Sequence, residues 1–449
     1  MPENKNISRR DFLKAAGIGS IALTVPGCAT KPKGTPPRQG EMQYRLNPAN
    51  GDRVSLLGYG CMRWPMKKDE NGKDIIDQDK VNELVDHAIA NGVNYFDTSP
   101  AYLQGLSEKA TAIALSRHPR QSYYLATKLS NFGDYSRKAS IQMYEDSFKE
   151  LNTDYIDYYL LHSIGRGGYK AFAQRYEENG LMDFLLEERK KGKIRQLGFS
   201  FHGNKQAFND FIALHEKYHW DFVQIEMNYV DWTHADGVKN VNTDYLYSEL
   251  DKRKIPITVM EPLLGGRLAN VPDNIADKLK ERDPEATIAS WAFRFVGTFP
   301  RVLTVLSGMT YMEHLKDNLL TYKNFKPLNP EELGFLEEMA VLMKEYPTIN
   351  CTDCKYCMPC PYGVNIPEVF RHYNECINKG GIAQSEAQKE YRRLRRAYLI
   401  SYDRAVPPLR QANHCIGCDI CLDRCPQSIA ISHEMRRIDN YVEKLKRSL

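Results

Sequence analysis

Charge of one sign is scarce in this chain. A net charge of +4 over 449 residues is too dilute to argue for a nucleic-acid partner, so any basic patch has to be local. Proline and glycine are not in excess, at 23 and 29 residues, which excludes a mostly disordered or fibrous chain. Long apolar runs are lacking as well. The apolar N-terminal stretch, residues 15–25, is about half the ~20 residues a spanning helix needs. A Gly-x-Gly-x-x-Gly after the first strand is missing, which weighs against an open doubly wound dinucleotide-binding sheet. No flavin motif is evident either.

What is present divides the chain. A single core rarely grows past roughly 250–300 residues, so two domains are expected. Of 11 cysteines, eight fall into two tight groups near the C-terminus: Cys351, Cys354, Cys357 and Cys360, then Cys415, Cys418, Cys421 and Cys425. Clustering at two-residue gaps argues for metal rather than a disulfide framework. At the other end, Ser8-Arg9-Arg10-Asp11-Phe12-Leu13-Lys14 has the pattern of a twin-arginine signal, with residues 15–25 as its apolar region. Val25-Pro26-Gly27-Cys28 reads as a lipoprotein cleavage box with Cys28 as the lipidated residue, against cleavage after Ala29 with a soluble product. The expected layout is a signal over 1–28, a polar linker over 29–41, one domain over 42–326 and a second over 327–449. Export through the twin-arginine route to the periplasm, with a lipid anchor at Cys28, is the expected localisation.

From Met42 to about Lys326, short β-branched or aromatic runs alternate with helical periods. Strands are expected at 55–59, 94–97, 123–128, 156–162, 196–200, 222–227, 256–260 and 302–307. Ile-Asp-Tyr-Tyr-Leu-Leu-His at 156–162 is nearly continuously apolar, as a strand covered on both faces would be. Val81, Leu84, Val85 and Ala88 mark one helical face ending at Gly92. Eight such units predict an α/β fold, a closed (β/α)8 TIM barrel. Its active site would lie at the carboxyl ends of the strands. Asp97, Tyr102, Lys128 and His162 sit at or just past those ends and form a proton-handling set. Reducing a carbonyl requires a hydride at carbon and a proton at oxygen. A tyrosine with its ordinary pKa of ~10 is a poor acid-base catalyst at neutral pH; a buried lysine beside it would stabilise the phenolate. Asp97 would hold Lys128 in place, and His162 would orient the substrate oxygen.

Gly92-Val93-Asn94-Tyr95-Phe96-Asp97-Thr98-Ser99-Pro100-Ala101-Tyr102 with Ser107-Glu108, Ala126-Thr127-Lys128, and Tyr159-Leu160-Leu161-His162 together resemble the aldo-keto reductase family over roughly residues 42–325. The resemblance implies an oxidoreductase acting on a small-molecule carbonyl or alcohol, with Tyr102 as proton donor. It implies an NAD(P) site lined by Ser200 and Gln224. Met260 stands where the family usually stacks an aromatic residue on the nicotinamide, and Phe201 where many members have Asn. Phosphates would sit at Leu264-Gly265-Gly266-Arg267 and at Ser307-Gly308-Met309-Thr310, the second group opening a helix. In sequence no Arg or Lys lies beside that second group, and Lys316 is two turns on, so NADP over NAD does not follow. Flavin is the alternative occupant.

Cys415-x2-Cys418-x2-Cys421-x3-Cys425-Pro426 is the bacterial ferredoxin run, in which the fourth thiolate serves the other cluster. Cys351-x2-Cys354-x2-Cys357-x2-Cys360-Pro361 is one residue shorter before its last Cys. By analogy, Cys351, Cys354, Cys357 and Cys425 would hold one [4Fe–4S] cluster, and Cys415, Cys418, Cys421 and Cys360 the second, in a small helical ferredoxin-like dicluster domain. Two zinc sites are the alternative. Between the motifs, 389–396 holds five basic residues, among them Arg392, Arg393, Arg395 and Arg396. They would either dock an acidic electron-transfer partner or form a solvated helix face. The whole arrangement looks like the iron-sulfur branch of the aldo-keto reductases. The alternative from another class is an electron-transfer or redox-sensing module whose barrel lacks fast carbonyl turnover.

Overall fold

The computed structural model describes residues 40–235 and 240–448. The twin-arginine motif, the apolar stretch after it, Cys28 and nearly all of the expected linker lie outside the described residues. Among the described residues, no helix is long and apolar enough to cross a membrane.

Eight parallel strands close into a barrel. They are β1 (Leu57–Gly60), β2 (Tyr95–Asp97), β3 (Tyr124–Leu129), β4 (Ile156–Ile164), β5 (Ile194–Phe201), β6 (Phe222–Glu226), β7 (Ile257–Met260) and β8 (Val302–Ser307). Each pairs with its neighbours in chain order, and β8 returns to β1. Every expected strand is present. The first begins two residues late, because Arg53–Ser55 instead pairs antiparallel with Tyr44–Leu46. Helix α1 (Gln78–Ala90) buries Val81, Leu84, Val85 and Ala88, the face its periodicity predicts. Helix α2 (Ser107–Leu115) follows β2.

Inside the barrel, Tyr95, Ala126, Tyr158, Leu160, Phe222, Leu303 and Leu306 form a packed layer. Tyr158 meets Tyr95 and Phe222 at centroid distances of 5.1 Å. Gly198 is required beneath this layer: a Cβ there would stand 2.3 Å from the Phe222 carbonyl oxygen. The barrel is therefore a filled core that supports chemistry at its strand ends.

The chain divides into two compact units. Of the described residues, one unit holds those up to Pro262 together with Ser290–Glu337, and the other holds Leu263–Ala289 and those from Glu338 on. The division differs from a simple boundary at 326. The segment after β7 is drawn into the second unit by hydrogen bonds: Arg267 donates to Asn350 Oδ1 at 2.9 Å and Thr348 Oγ1 at 2.7 Å, and Tyr346 donates to Asn274 Oδ1 at 2.8 Å. The second unit is built on α3 (Ile366–Asn378), α4 (Tyr391–Ala405) and α5 (Ile431–Arg447). Their apolar stripes, such as Val369, Phe370 and Tyr373, Tyr398 and Tyr402, and Met435, Ile438 and Val442, make its core. Cys351, Cys357, Cys360, Cys415 and Cys421 pack against that core, and Cys425 is part of it.

Candidate functional site

The carboxyl ends of β2, β3 and β4 bring the four expected polar residues together. Asp97 ends β2, Lys128 is next to last in β3, and His162 lies two residues before the end of β4. All three are buried, as is Tyr102, on the turn after β2. Lys128 Nζ donates to Asp97 Oδ1 and, at 2.9 Å, to the Thr98 carbonyl oxygen. The same ammonium stands 4.8 Å from the centre of the Tyr102 ring. Burial pushes the Lys128 ammonium below its ordinary range, and the Asp97 charge works against that shift. Gln224 Nε2 donates to the other Asp97 oxygen at 3.2 Å, so Gln224 braces the acid that braces the lysine.

His162 meets Tyr102 edge to face at 5.9 Å. Burial, then the positive charge of Lys128, hold its imidazole well below the usual histidine range, so it is neutral at physiological pH. Its Nδ1 lies 2.5 Å from Ser130 Oγ and 3.3 Å from Ser99 Oγ, and those two hydroxyls are 2.8 Å apart. Ser130, Ser99 and Gln224's grip on Asp97 escaped the sequence reading. The usable signal for the serines was position: both are polar and lie just past strand ends.

Of the residues expected at a nicotinamide, Ser200 is buried and its Oγ accepts from the Ser163 backbone N–H at 2.8 Å. Phe201 is buried against Phe208, ring centres 5.1 Å apart. Met260 ends β7 half-buried. Ser307 ends β8 and accepts from Asn318 Nδ2 at 3.0 Å; Met309 is buried and its carbonyl accepts from the Tyr59 hydroxyl at 2.6 Å. One basic residue absent from the local sequence is supplied by the fold. A Cβ on Gly308 would stand 3.1–3.4 Å from the Arg63 side-chain carbons, so the Arg63 stem packs on this turn. Gly265, Gly266 and Arg267 belong to the second unit. Gly265, at φ +69°, lies so close to Thr352 that a Cβ would stand 2.3 Å from the Thr352 Cα.

All ten described cysteines are unbridged, and nine of them lie in the second unit. The thiols fall into two neighbourhoods, readable from whose charge each one feels. Burial pushes Cys351 and Cys357 up to about 12; Cys351 also feels Cys425, and Cys357 feels Cys351 and Cys425 and then Cys421, where the two neighbourhoods meet. Burial raises Cys421 to about 11, and its other neighbours are Cys415, Cys418 and Cys360. The last cysteine of each motif thus lies with the other motif. Among the described residues, no three His, Cys, Asp or Glu side chains converge tightly enough for a single metal ion.

The aldo/keto reductase family pattern matches residues 56–340, and that of a 4Fe-4S dicluster domain matches residues 350–430. Among curated proteins, the chain is 30% identical to Protein tas of Escherichia coli over 202 residues, which is 39% of this chain and 55% of that protein. It is 33% identical over 160 residues to Methylglyoxal reductase YeaE of the same organism, covering 35% of this chain and 50% of the relative. The chain therefore spans about half the length of these curated relatives. Among solved structures, aldo-keto reductase AKR11C1 from Bacillus halodurans superposes with a TM-score of 0.53 at 22% identity, covering 67% of this chain and 96% of that one. An aldo-keto reductase from Klebsiella pneumoniae in complex with NADPH matches with the same score at 20% identity, again over 67% and 96%.

Proposed function

The chain belongs to the aldo/keto reductase family, and we propose that its barrel reduces the carbonyl of a small aldehyde or ketone, or oxidises the corresponding alcohol, with NAD(P). The observation that supports this most is the buried Lys128 ammonium, held by Asp97 and Thr98 beside the Tyr102 ring. When bound, a reduced nicotinamide supplies hydride to the carbonyl carbon. Tyr102 gives its phenolic proton to the carbonyl oxygen, and Lys128 stabilises the phenolate left behind. Neutral His162 takes part as a hydrogen-bonding group that orients the oxygen, with Ser130 fixing its ring. The chain's residues fit the cofactor at one end: Ser307 ends β8, Gly308 and Met309 follow it, and a Cβ at Gly308 would crowd the Arg63 stem. Ser200, Met260 and the Gln224 carbonyl side would line the ring. Gly265, Gly266 and Arg267 are assigned to the diphosphate on the family's pattern.

In the second unit we assign Cys351, Cys354, Cys357 and Cys425 to one [4Fe–4S] cluster and Cys360, Cys415, Cys418 and Cys421 to another. The mutual neighbourhoods of their thiols support that division. Export by the twin-arginine route, as a folded and cofactor-loaded protein with a lipid at Cys28, completes the reading. Phe201, buried where family members often carry an amide, favours a second reading, in which the barrel serves redox sensing or electron transfer and turns over carbonyls slowly.

Tyr102→Phe decides between them. The variant should lose roughly 10²–10⁴ in kcat while binding cofactor nearly as well as the wild type, measured by steady-state kinetics and cofactor titration. Wild-type kcat in the variant would remove Tyr102 from the mechanism. A wild-type protein that reduces no aldehyde or ketone would favour the second reading.

A further inference from the structure

Helix α4 carries arginines where the helix dipole disfavours them. Arg392 and Arg393 occupy its first turn, which contains no carboxylate. That end of a helix already bears positive partial charge, so two cations there raise the local potential at a cost in helix stability. Arg392 and Arg396 are one turn apart on the same stripe, which adds like-charge repulsion, and Arg404 continues that stripe. Arg393 pairs with Glu390. Among the described residues, no carboxylate pairs with Arg392, Arg396 or Arg404. All four arginines line a shallow depression of about 950 Å³ between α3 and α4, with His372, Ser401 and Glu375, which pairs with Arg371, among its other walls.

The spacing of the charges limits what could lie there. Arg392 to Arg404 spans about 18 Å at 1.5 Å per residue. A single phosphate or carboxylate needs cations that converge on one point, whereas these are strung out along a line. Ile400 stands exposed on the same strip, so an anionic bilayer is the rival occupant, to be tested by vesicle binding.

Past the Arg404 end, the chain carries three exposed apolar side chains at and around the second cysteine motif, which we call the apolar patch. Leu409 is 79% exposed, Ile416 63% and Ile420 50%, and Cys418, between the two isoleucines, is exposed as well. Two contacts hold this segment at the cysteine loops. His414 Nε2 lies 3.1 Å from the Pro408 carbonyl oxygen, and the Asn365 N–H donates to the Arg410 carbonyl at 3.0 Å.

We propose that the arginine strip of α4 and the Leu409–Ile416–Ile420 patch form one docking surface for an acidic one-electron carrier protein. An acidic strip of the carrier lies along Arg392, Arg396 and Arg404, and its redox group faces the patch at Cys418. This rests on the assignment of clusters to the second unit. One electron leaves the reduced carrier, which is oxidised, and one enters the cluster unit, which is reduced; no bond is made or broken.

The test uses the full chain, prepared anaerobically, with an acidic [2Fe–2S] ferredoxin as probe. Binding is measured as salt rises from about 50 mM to about 500 mM, and reduction of the chain's visible band is followed in stopped flow. Wild-type binding should weaken steeply with salt. Arg392→Glu/Arg396→Glu should bind at least tenfold more weakly and accept electrons from the ferredoxin at least tenfold more slowly. Dithionite, which needs no docking, should reduce both proteins alike. The Arg→Gln pair, which adds no negative charge, should show a smaller loss of the same kind. The proposal is overturned if ferredoxin binding and electron transfer are the same in wild type and variant. It is also overturned if anionic phosphatidylglycerol vesicles, rather than ferredoxin, lose binding in the variant. Salt-dependent ferredoxin binding by a protein with no iron band would support the docking surface and sink the cluster assignment instead.

Discussion

Lys128 and Asp97 are buried together, and removing either would leave an uncompensated charge in the interior, a loss of about 3–5 kcal/mol. Variants at this pair therefore report on folding as much as on chemistry. Ser130 is the cleaner probe. Its hydroxyl lies 2.5 Å from His162 Nδ1, so it holds the orientation of the ring. Ser130→Ala should lower kcat roughly tenfold, about 1.4 kcal/mol, with cofactor affinity unchanged. Ser130→Thr should restore it, and steady-state kinetics with cofactor titration checks both. Glu108 offers a pH experiment. It is buried, accepts from Thr127 Oγ1 at 2.6 Å, and burial raises its carboxyl from 4.5 to about 7. Between those values the folded chain holds a proton that the unfolded chain has lost. Stability should thus be full below pH 4.5 in this respect and fall as pH rises to about 7, by on the order of 3 kcal/mol. Glu108→Gln should flatten that slope, as read from thermal unfolding midpoints of the barrel between pH 5 and about 8.

At the scale of elements, left-handed backbone outside glycine marks both ends of the strands, with Asn152, His219 and Lys254 before their amino ends and a second group at their carboxyl ends. Leu103 and Gln104 after β2, Ser163 near the end of β4 and Glu261 after β7 all have positive φ without being glycine. Each such residue costs of order 1–3 kcal/mol. The loop after β7 continues that pattern into Gly265. Gly265→Ala would add a strained φ and drive a Cβ into the Thr352 backbone, beside Cys351. The variant should retain a folded barrel by circular dichroism but hold less iron than wild type. Gly266→Ala takes on a strained φ as well, +98°, but meets open space, so it should hold more iron than Gly265→Ala and separates the clash from the strain. The barrel strands were legible because parallel strands covered on both faces read as short apolar runs. The proton-handling set was legible because strand ends are local positions. Arg63 beside Gly308 was not, since a contact across 245 residues leaves no local trace, and neither was the allegiance of 263–289, set by hydrogen bonds to residues about 80 positions on.

For the whole molecule, the two proposed chemistries handle electrons differently: a nicotinamide in the barrel would move them in pairs as hydride, while iron-sulfur clusters would accept them singly. About eight irons and eight sulfides per chain are expected by elemental and sulfide assay of anaerobically prepared protein; zinc in their place would refute the cluster assignment. How those irons are distributed follows from where Cys425 lies. It belongs to the second motif in sequence but sits with Cys351 and Cys357 of the first, as Cys360 does with Cys421 of the second. Each motif holds a key to the other's lock. Native mass spectrometry should therefore find chains that are full or empty, with few half-filled. On that assignment, either cysteine motif by itself would leave both clusters short of ligands.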